Sequence, residues 1–107
     1  MFDSRQTGGY QEISPEEVGE WTKRGARLID VRERWEYAWG HIPGAENVPL
    51  RELLMRAGEL KGPVVLICAT GNRSGQAAEL LSENGLDEVA NLVGGTAGWV
   101  QRGHPLE

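Results

Sequence analysis

The fold is decided by one stretch near the middle of the chain, Val64-Val65-Leu66-Ile67-Cys68-Ala69-Thr70-Gly71-Asn72-Arg73-Ser74-Gly75-Gln76-Ala77-Ala78. Its four opening apolar residues favour β-structure, follow Pro63, and predict a strand that is buried on both faces. From Gly75 to Asn84 the apolar residues are spaced as in a helix, and Gly85 stands where such a helix ends. The stretch therefore predicts a strand, a turn over 69–74 and a helix.

The turn follows Cys68, which is the only cysteine in the chain. In a strand–loop–helix unit, the loop N–H groups and the positive end of the helix dipole form an anion site at the end of the strand. Such a site lowers the pKa of a cysteine below its free value of about 8.5 and makes the thiolate available as a nucleophile.

A lone cysteine after an apolar strand is more often a small buried apolar residue than a nucleophile. Arg73 favours the nucleophile here, because the helix dipole disfavours a cation at a helix start unless an anionic ligand compensates it. Together the glycine-bearing loop, the arginine and the helix indicate a reactive Cys68.

Length, composition and charge bound the class of protein. A chain of 107 residues with 39% hydrophobic residues can bury the core of one domain. We expect a single domain over 1–107, with an ordered core at 10–103 and a flexible N-terminus at 1–9. The net charge of −5 argues against nucleic acid as a partner.

Several classes of protein are disfavoured by what the sequence lacks. One cysteine excludes an internal disulfide, and the absence of a Cys/His cluster argues against a zinc site. Residues 1–10 lack the apolar segment of a signal peptide, and no apolar run approaches the ~20 residues that cross a membrane. We expect a cytoplasmic protein with no metal, no organic cofactor and no membrane partner.

Strands and helices are predicted to alternate along the whole chain. Beside the central strand, strands are predicted at 10–13, 28–32, 46–48 and 88–93, and helices at 14–23, 33–39, 50–60 and 96–102. This alternation predicts an α/β domain with a mainly parallel five-stranded sheet and helices on both faces. Because ligands bind beyond the carboxyl ends of such strands, Asp30, Arg32 and Cys68 are expected at one edge of the sheet.

With these residues in hand, the chain resembles a single-domain rhodanese, a family of sulfurtransferases, over about residues 13–103. The resemblance rests on four motifs in family-like order and spacing, namely Asp30-Val31-Arg32, Gly40-His41-Ile42-Pro43-Gly44-Ala45, Cys68-Ala69-Thr70-Gly71-Asn72-Arg73-Ser74, and Gly94-Gly95 with Gly98-Trp99.

The resemblance implies a rhodanese-like fold and thiosulfate sulfurtransferase activity. It implies that Cys68 carries a persulfide and that Arg73 faces the anionic donor. It also implies that the outer sulfur is held by the loop amides of Ala69, Thr70, Gly71, Asn72, Arg73 and Ser74. The first loop position is often basic in this family, whereas here it is Ala69, so the loop carries a single cation.

Other residues of these motifs are expected to support the site. Asp30 is expected to act behind the reacting group, Arg32 to pair with Asp30 or Glu36, and His41 to make structural hydrogen bonds. The tryptophans are expected to pack in the core or in a lid, with Trp35 or Trp39 at the pocket mouth.

Three functions compete for this pattern. In the first, the Cys68 thiolate takes a sulfane sulfur from thiosulfate or a related donor and passes it to cyanide or a thiol acceptor, without a cofactor. In the second, the protein is a sulfur carrier or docking module for a partner protein. A domain that only docks has no need of Cys68, whereas sulfur delivery to a protein acceptor stays open.

The third function is that of a cysteine-dependent phosphatase or arsenate reductase. The cysteine phosphatases that share this fold place five residues between Cys and Arg, whereas four separate Cys68 from Arg73. A smaller loop suits one sulfur atom better than a phosphate, so this function is the least favoured.

Overall fold

Strands and helices alternate along the chain in a computed structural model that describes residues 9–107. The strands are β1 (Tyr10–Ile13), β2 (Arg27–Asp30), β3 (Glu46–Asn47), β4 (Val64–Ile67) and β5 (Val89–Leu92). The helices are α1 (Val18–Lys23), α2 (Arg34–Trp39), α3 (Leu50–Met55), α4 (Asn72–Glu83) and α5 (Gly95–Gln101), with 3-10 turns at Pro15–Glu17 and Ala57–Glu59. The flexible N-terminus expected at 1–9 lies outside the described residues, apart from Gly9.

The five strands form one sheet in the order β1-β5-β4-β2-β3, and each adjacent pair is parallel. β4 lies in the middle, and all four of its residues are buried. A parallel strand of this kind reads as a continuous apolar run because both faces of the sheet are covered. The predicted α/β fold with a parallel five-stranded sheet is confirmed.

The two faces of the sheet carry separate apolar clusters. Successive side chains of a strand point to opposite faces. Val64 and Leu66 therefore join the cluster beneath α3 and α4, whereas Val65 and Ile67 join the cluster beneath α1. Cys68 continues the first set, so its side chain lies on the α4 side of the sheet.

The helix predicted over 50–60 is wrong in its length. α3 ends at Met55, and a separate 3-10 turn follows. Gly58 lies inside the predicted span, and glycine disfavours a continuous helix by about 1 kcal/mol relative to alanine. Leu53 is fully buried, whereas its neighbour Leu54 is 38% exposed.

Two of the four tryptophans pack in or against the core and two are exposed, and a place at the pocket mouth for Trp35 or Trp39 stays a prediction. Trp21 is buried in the core and Trp99 packs against it in part. Trp35 and Trp39 lie four residues apart on α2, hence on one side of that helix, and are 65% and 87% exposed. α2 packs on the core through Tyr37 instead.

Within residues 9–107, no helix is both long enough and apolar enough to cross a bilayer.

Candidate active site

Cys68 lies at the carboxyl end of the central strand, where the sheet meets the start of α4. It is a free cysteine, and only 1% of its surface is exposed. Its burial agrees with its place in the apolar cluster, so the reactivity of the thiol depends on the polar groups that reach its sulfur.

The loop after Cys68 is shorter than the sequence predicted. α4 begins at Asn72, three residues before the expected start at Gly75, because Gly71 adopts a left-handed conformation (φ 101°) as the N-cap. A Cβ on Gly71 would lie 3.2 Å from the Gly94 nitrogen, so a glycine is also required by space. Arg73 and Ser74 therefore belong to the first turn of the helix and not to the loop.

Several donors converge on the sulfur of Cys68. The Gly71 N–H donates to Sγ at 3.0 Å, and the Ser74 hydroxyl lies 3.2 Å from Sγ. Burial raises the pKa of the Cys68 thiol, but hydrogen bonds from the Ser74 hydroxyl and from the amides of Ser74, Thr70 and Gly71 outweigh it, so the net pKa is lowered. The arrangement can hold a thiolate.

The loop is held in this shape from behind by the start of α5. The Thr96 N–H donates to the Cys68 carbonyl at 2.8 Å, and the Ala97 N–H donates to the Ala69 carbonyl at 3.0 Å. Gly95 (φ 58°) approaches so closely that a Cβ there would lie 2.3 Å from the Cys68 carbonyl oxygen. These contacts turn the carbonyls away from the sulfur and leave the amides to face it.

Arg73, in the first turn of α4, is partly exposed and is paired with an acidic residue. Its guanidinium donates to the Glu36 carboxylate at 3.3 and 3.4 Å, and its side chain is 40% exposed. Burial raises the pKa of Glu36, but hydrogen bonds from the Glu33 amide and from Arg73, together with the charges of Arg73 and Arg32, lower it overall, so the carboxylate stays ionised. The guanidinium that was expected to face an anionic donor is therefore bound to the Glu36 carboxylate in this structure.

Asp30 and Arg32 form a buried ion pair on the other side of the sheet from Cys68. Asp30 pairs with Ile67 in the sheet, one position before Cys68, so the Asp30 side chain shares the face of Ile67. Arg32 donates to Asp30 at 2.7 Å and to the Gly40 carbonyl at 2.8 Å. The pair braces the connection after α2 and does not reach the sulfur directly.

His41 lies in the turn that Arg32 braces. Its ring stacks on Tyr37 with centroids 3.7 Å apart, and its Nδ1 lies 3.0 Å from the Tyr37 carbonyl oxygen. Its Nε2 lies 3.4 Å from the Glu107 carboxylate. These contacts hold His41 against α2 and the C-terminal residues.

Sequence reasoning missed two residues, Asn91 and Glu12, which extend the hydrogen-bond network behind Ser74. Asn91 on β5 accepts a hydrogen bond from the Ser74 hydroxyl, and its amide nitrogen donates to Glu12 on β1. The available signal was an asparagine within the buried strand Val89–Leu92, since a buried amide needs partners. Of the other expected loop residues, Thr70 and Asn72 are exposed and Ala69 is half-buried.

Among residues 9–107, no group of three or more His, Cys, Asp or Glu side chains is arranged to bind a metal ion.

Comparison with known proteins agrees with this geometry. The sequence of residues 14–102 matches the family model of the Rhodanese-like domain. The chain is 33% identical over 92 residues to the thiosulfate sulfurtransferase GlpE of Pseudomonas paraeruginosa, with 84% of each protein covered. It is 49% identical over 78 residues to the uncharacterized protein YqhL of Bacillus subtilis, covering 71% of this chain and 62% of that protein.

Solved structures give the same result. A crystal structure of a rhodanese-related protein from Thermoplasma volcanium superimposes with a TM-score of 0.80 at 33% identity, covering 92% of this chain and 98% of that one. The fold, with a cysteine at the carboxyl end of the central strand of a parallel sheet, is that of a rhodanese-like domain. The chain belongs to the rhodanese-like family, whose activity is sulfur transfer.

Proposed function

We propose that this protein transfers a sulfane sulfur from thiosulfate, or from a related donor, through a persulfide on Cys68. The single observation that carries the proposal is the convergence of the Gly71 amide, at 3.0 Å, and the Ser74 hydroxyl, at 3.2 Å, on a buried cysteine sulfur. Donors in this position stabilise negative charge on sulfur. They stabilise a thiolate at Sγ, and amides of the same loop can stabilise the anionic outer sulfur of a persulfide.

In the first half of the reaction the Cys68 thiolate attacks the outer sulfur of thiosulfate. A bond forms between Sγ and that sulfur, the bond to the sulfite sulfur breaks, and sulfite leaves with the electron pair. The charge of the product persulfide lies on its outer sulfur. The loop amides around Thr70 and Gly71 bind that charge, as donors fixed in advance by the helix start.

In the second half an acceptor attacks the outer sulfur and regenerates the Cys68 thiolate. Cyanide gives thiocyanate, and a thiolate acceptor gives a new persulfide. The proposed partners are therefore a small anionic sulfur donor and a cyanide or thiol acceptor, which includes a cysteine thiol on a protein acceptor. We assign both halves of the reaction to a single domain over residues 1–107.

Arg73 is proposed to bind the anionic donor at the entrance. Its pair with Glu36 is long, at 3.3 and 3.4 Å, and partly exposed, so a donor anion can replace the carboxylate at little cost. Asp30, Arg32 and His41 are proposed to support the site by holding the connection between α2 and β3.

Replacement of the sulfur tests the proposal. Cys68→Ser should fold and should form no thiocyanate from thiosulfate and cyanide, since an alkoxide is far harder to form than a thiolate. Gln76→Ser, at an exposed position of the same helix, is the matched control and should keep the parent rate. Thiocyanate formation by Cys68→Ser at the parent rate would contradict the proposal.

A further inference from the structure

The hydroxyl of Ser74 has two acceptors and one proton. Its Oγ lies 2.5 Å from Asn91 Oδ1 and 3.2 Å from Cys68 Sγ. A serine hydroxyl can donate to only one of them at a time. All three residues are at least 97% buried, so water does not offer either acceptor an easy substitute.

The oxygen of the Asn91 amide is held toward Ser74. Its nitrogen lies 2.7 Å from the Glu12 carboxylate and 3.2 Å from the Gly71 carbonyl oxygen. Both of those groups only accept hydrogen bonds, so they must face the NH2 group, and the amide oxygen must face the hydroxyl. Glu12 and Asn91 are register partners on β1 and β5, which fixes the pairing.

The first turn of α4 packs directly on the Asn91 amide, since a Cβ added to Gly75 would lie 3.3 Å from the Asn91 nitrogen. Because Glu12 and the Gly71 carbonyl hold the amide nitrogen, Asn91 Oδ1 faces Ser74 as an acceptor and competes with the sulfur for the hydrogen bond of the hydroxyl.

We propose that the Ser74 hydroxyl is a switch, which donates to Asn91 while Cys68 Sγ is uncharged and to Sγ when Sγ is a thiolate. With a neutral thiol, the Ser74 hydroxyl donates to Asn91, and its oxygen accepts a hydrogen bond from the thiol S–H. With a thiolate, the stronger charge-assisted bond draws the hydroxyl to Sγ and leaves Asn91 Oδ1 without that donor. Asn91 is a positioning residue, because its competition for the Ser74 hydroxyl sets how readily that hydroxyl donates its hydrogen bond to the sulfur.

The switch also has a place in the reaction, and this part rests on the proposed function. In the persulfide, Sγ is bonded to the outer sulfur and carries no charge, so the hydroxyl returns to Asn91. When an acceptor attacks the outer sulfur, the S–S bond breaks and its electron pair goes to Sγ. The hydroxyl then donates to Sγ as charge develops there, which is help that the transition state receives and the ground state does not.

Charged groups from several elements surround Cys68 and must be held constant in a test. They are Arg73 on α4, its partner Glu36 on α2, Glu12 on β1, and the Asp30–Arg32 pair on the other face of the sheet. Substitutions at Ser74 and Asn91 that replace neutral side chains with neutral ones leave all of these charges in place.

A double-mutant cycle on the pH dependence of Cys68 alkylation tests the switch. Iodoacetamide reports the thiolate of a single residue, because the chain has one cysteine. Ser74→Ala should move the profile to higher pH and slow alkylation below the midpoint by about tenfold, as expected for one lost hydrogen bond to a charged group. Asn91→Leu keeps the branched shape, removes the competing acceptor and should move the profile to lower pH.

The decisive comparison is Asn91→Leu in the Ser74→Ala protein. The substitution should have no further effect there, because no hydroxyl proton remains to be released. An equal shift with and without Ser74 would overturn the proposal, since Asn91 would then act on the loop alone. An unmoved profile in Ser74→Ala would overturn it as well.

Asn91→Ala provides the cycle if Asn91→Leu does not fold. Alanine also removes the competing acceptor, and it leaves every charge around Cys68 in place. A shift toward lower pH that is seen with Ser74 and is absent in the Ser74→Ala protein supports the proposal, and equal shifts in the two backgrounds contradict it.

None of these alkylation measurements requires sulfur transfer, so their failure is distinct from failure of the proposed function. The part played in the reaction is measured separately, as the single-turnover discharge of a Cys68 persulfide by cyanide. Ser74→Ala should slow this step, and an unchanged rate would contradict the part of the proposal that concerns the leaving sulfur.

Discussion

At the scale of single residues, Arg73 pairs with the Glu36 carboxylate and is also affected by a charge on Cys68. The Glu36 carboxylate accepts hydrogen bonds from the Arg73 guanidinium, and this raises the pKa of Arg73. Burial opposes the rise, and the negative charges of Glu36 and Cys68 add to it. In the proposed function, an anionic donor takes the place of the Glu36 carboxylate at Arg73. We therefore expect Glu36 to weaken donor binding by up to the free energy of its pair with Arg73.

Glu36→Gln should lower the Michaelis constant for thiosulfate by roughly twofold to fivefold, the range of a partly exposed ion pair. Glutamine keeps an acceptor for the Glu33 amide, which donates to Glu36 at 2.9 Å, so the start of α2 is preserved. Glu52→Gln changes the net charge equally but affects only the exposed pair with Arg34. Equal effects of the two variants would mean that net charge alone is responsible.

Arg73→Ala should raise the Michaelis constant for a dianionic donor more than it lowers turnover, because it removes the cation at the entrance. Arg73→Lys should recover only part of the loss, since a point charge cannot supply the planar fork of a guanidinium. Steady-state kinetics with thiosulfate measure both. If Arg73→Ala binds the donor as well as the parent does, Arg73 serves only to join α4 to Glu36.

At the scale of elements, the start of α5 shapes the loop after Cys68. A methyl group at Gly95 would lie 2.3 Å from the Cys68 carbonyl oxygen and 2.7 Å from the Ala69 carbonyl. The φ of 58° adds strain for any residue with a Cβ. The second glycine of the Gly94-Gly95 pair is therefore required by the loop that it packs against.

Gly95→Ala should lower the free energy of unfolding by roughly 2–4 kcal/mol, from left-handed strain and overpacking together. It should also reduce sulfur transfer, because the Cys68 and Ala69 carbonyls must shift. Gly103→Ala is the matched control, since Gly103 has φ 85° and nothing within 4 Å of an added Cβ. Urea unfolding that shows the same loss for both variants would contradict a role for the close contact.

The spacing between Cys68 and Arg73 is a second property of this element. Insertion of one glycine between Asn72 and Arg73 gives the phosphatase spacing of five and falls in the first turn of α4. Sulfur transfer should collapse, because Ser74 and its amide leave the sulfur, and weak hydrolysis of an activated aryl phosphate should emerge. A glycine inserted between Asn84 and Gly85, at the other end of α4, should retain sulfur transfer. Aryl phosphate hydrolysis by the parent that Cys68→Ser abolishes would support the phosphatase alternative.

At the scale of the whole molecule, the sequence predicted what local pattern determines. The apolar run that begins at Val64 and the alternation of strand and helix patterns located the five strands and the order of the helices. Local pattern failed where packing decides, since α3 ends at Met55 and not at residue 60.

The network around the sulfur could not be predicted for a different reason. Glu12 and Asn91 are 79 residues apart in the chain and meet only through the register of β1 and β5. Ser74 and Asn91 likewise meet only when α4 packs on β5. An asparagine in a buried strand signals that a partner exists, but only the register of the strands identifies the partner.

Mass spectrometry of the protein after treatment with thiosulfate tests the central claim most directly. The proposal predicts that the intact chain gains the mass of one sulfur atom, that peptide mapping places it on Cys68, and that cyanide removes it. Cys68→Ser should gain nothing under the same conditions. A parent protein that shows no added sulfur on Cys68, or sulfur elsewhere in the chain, would contradict the claim.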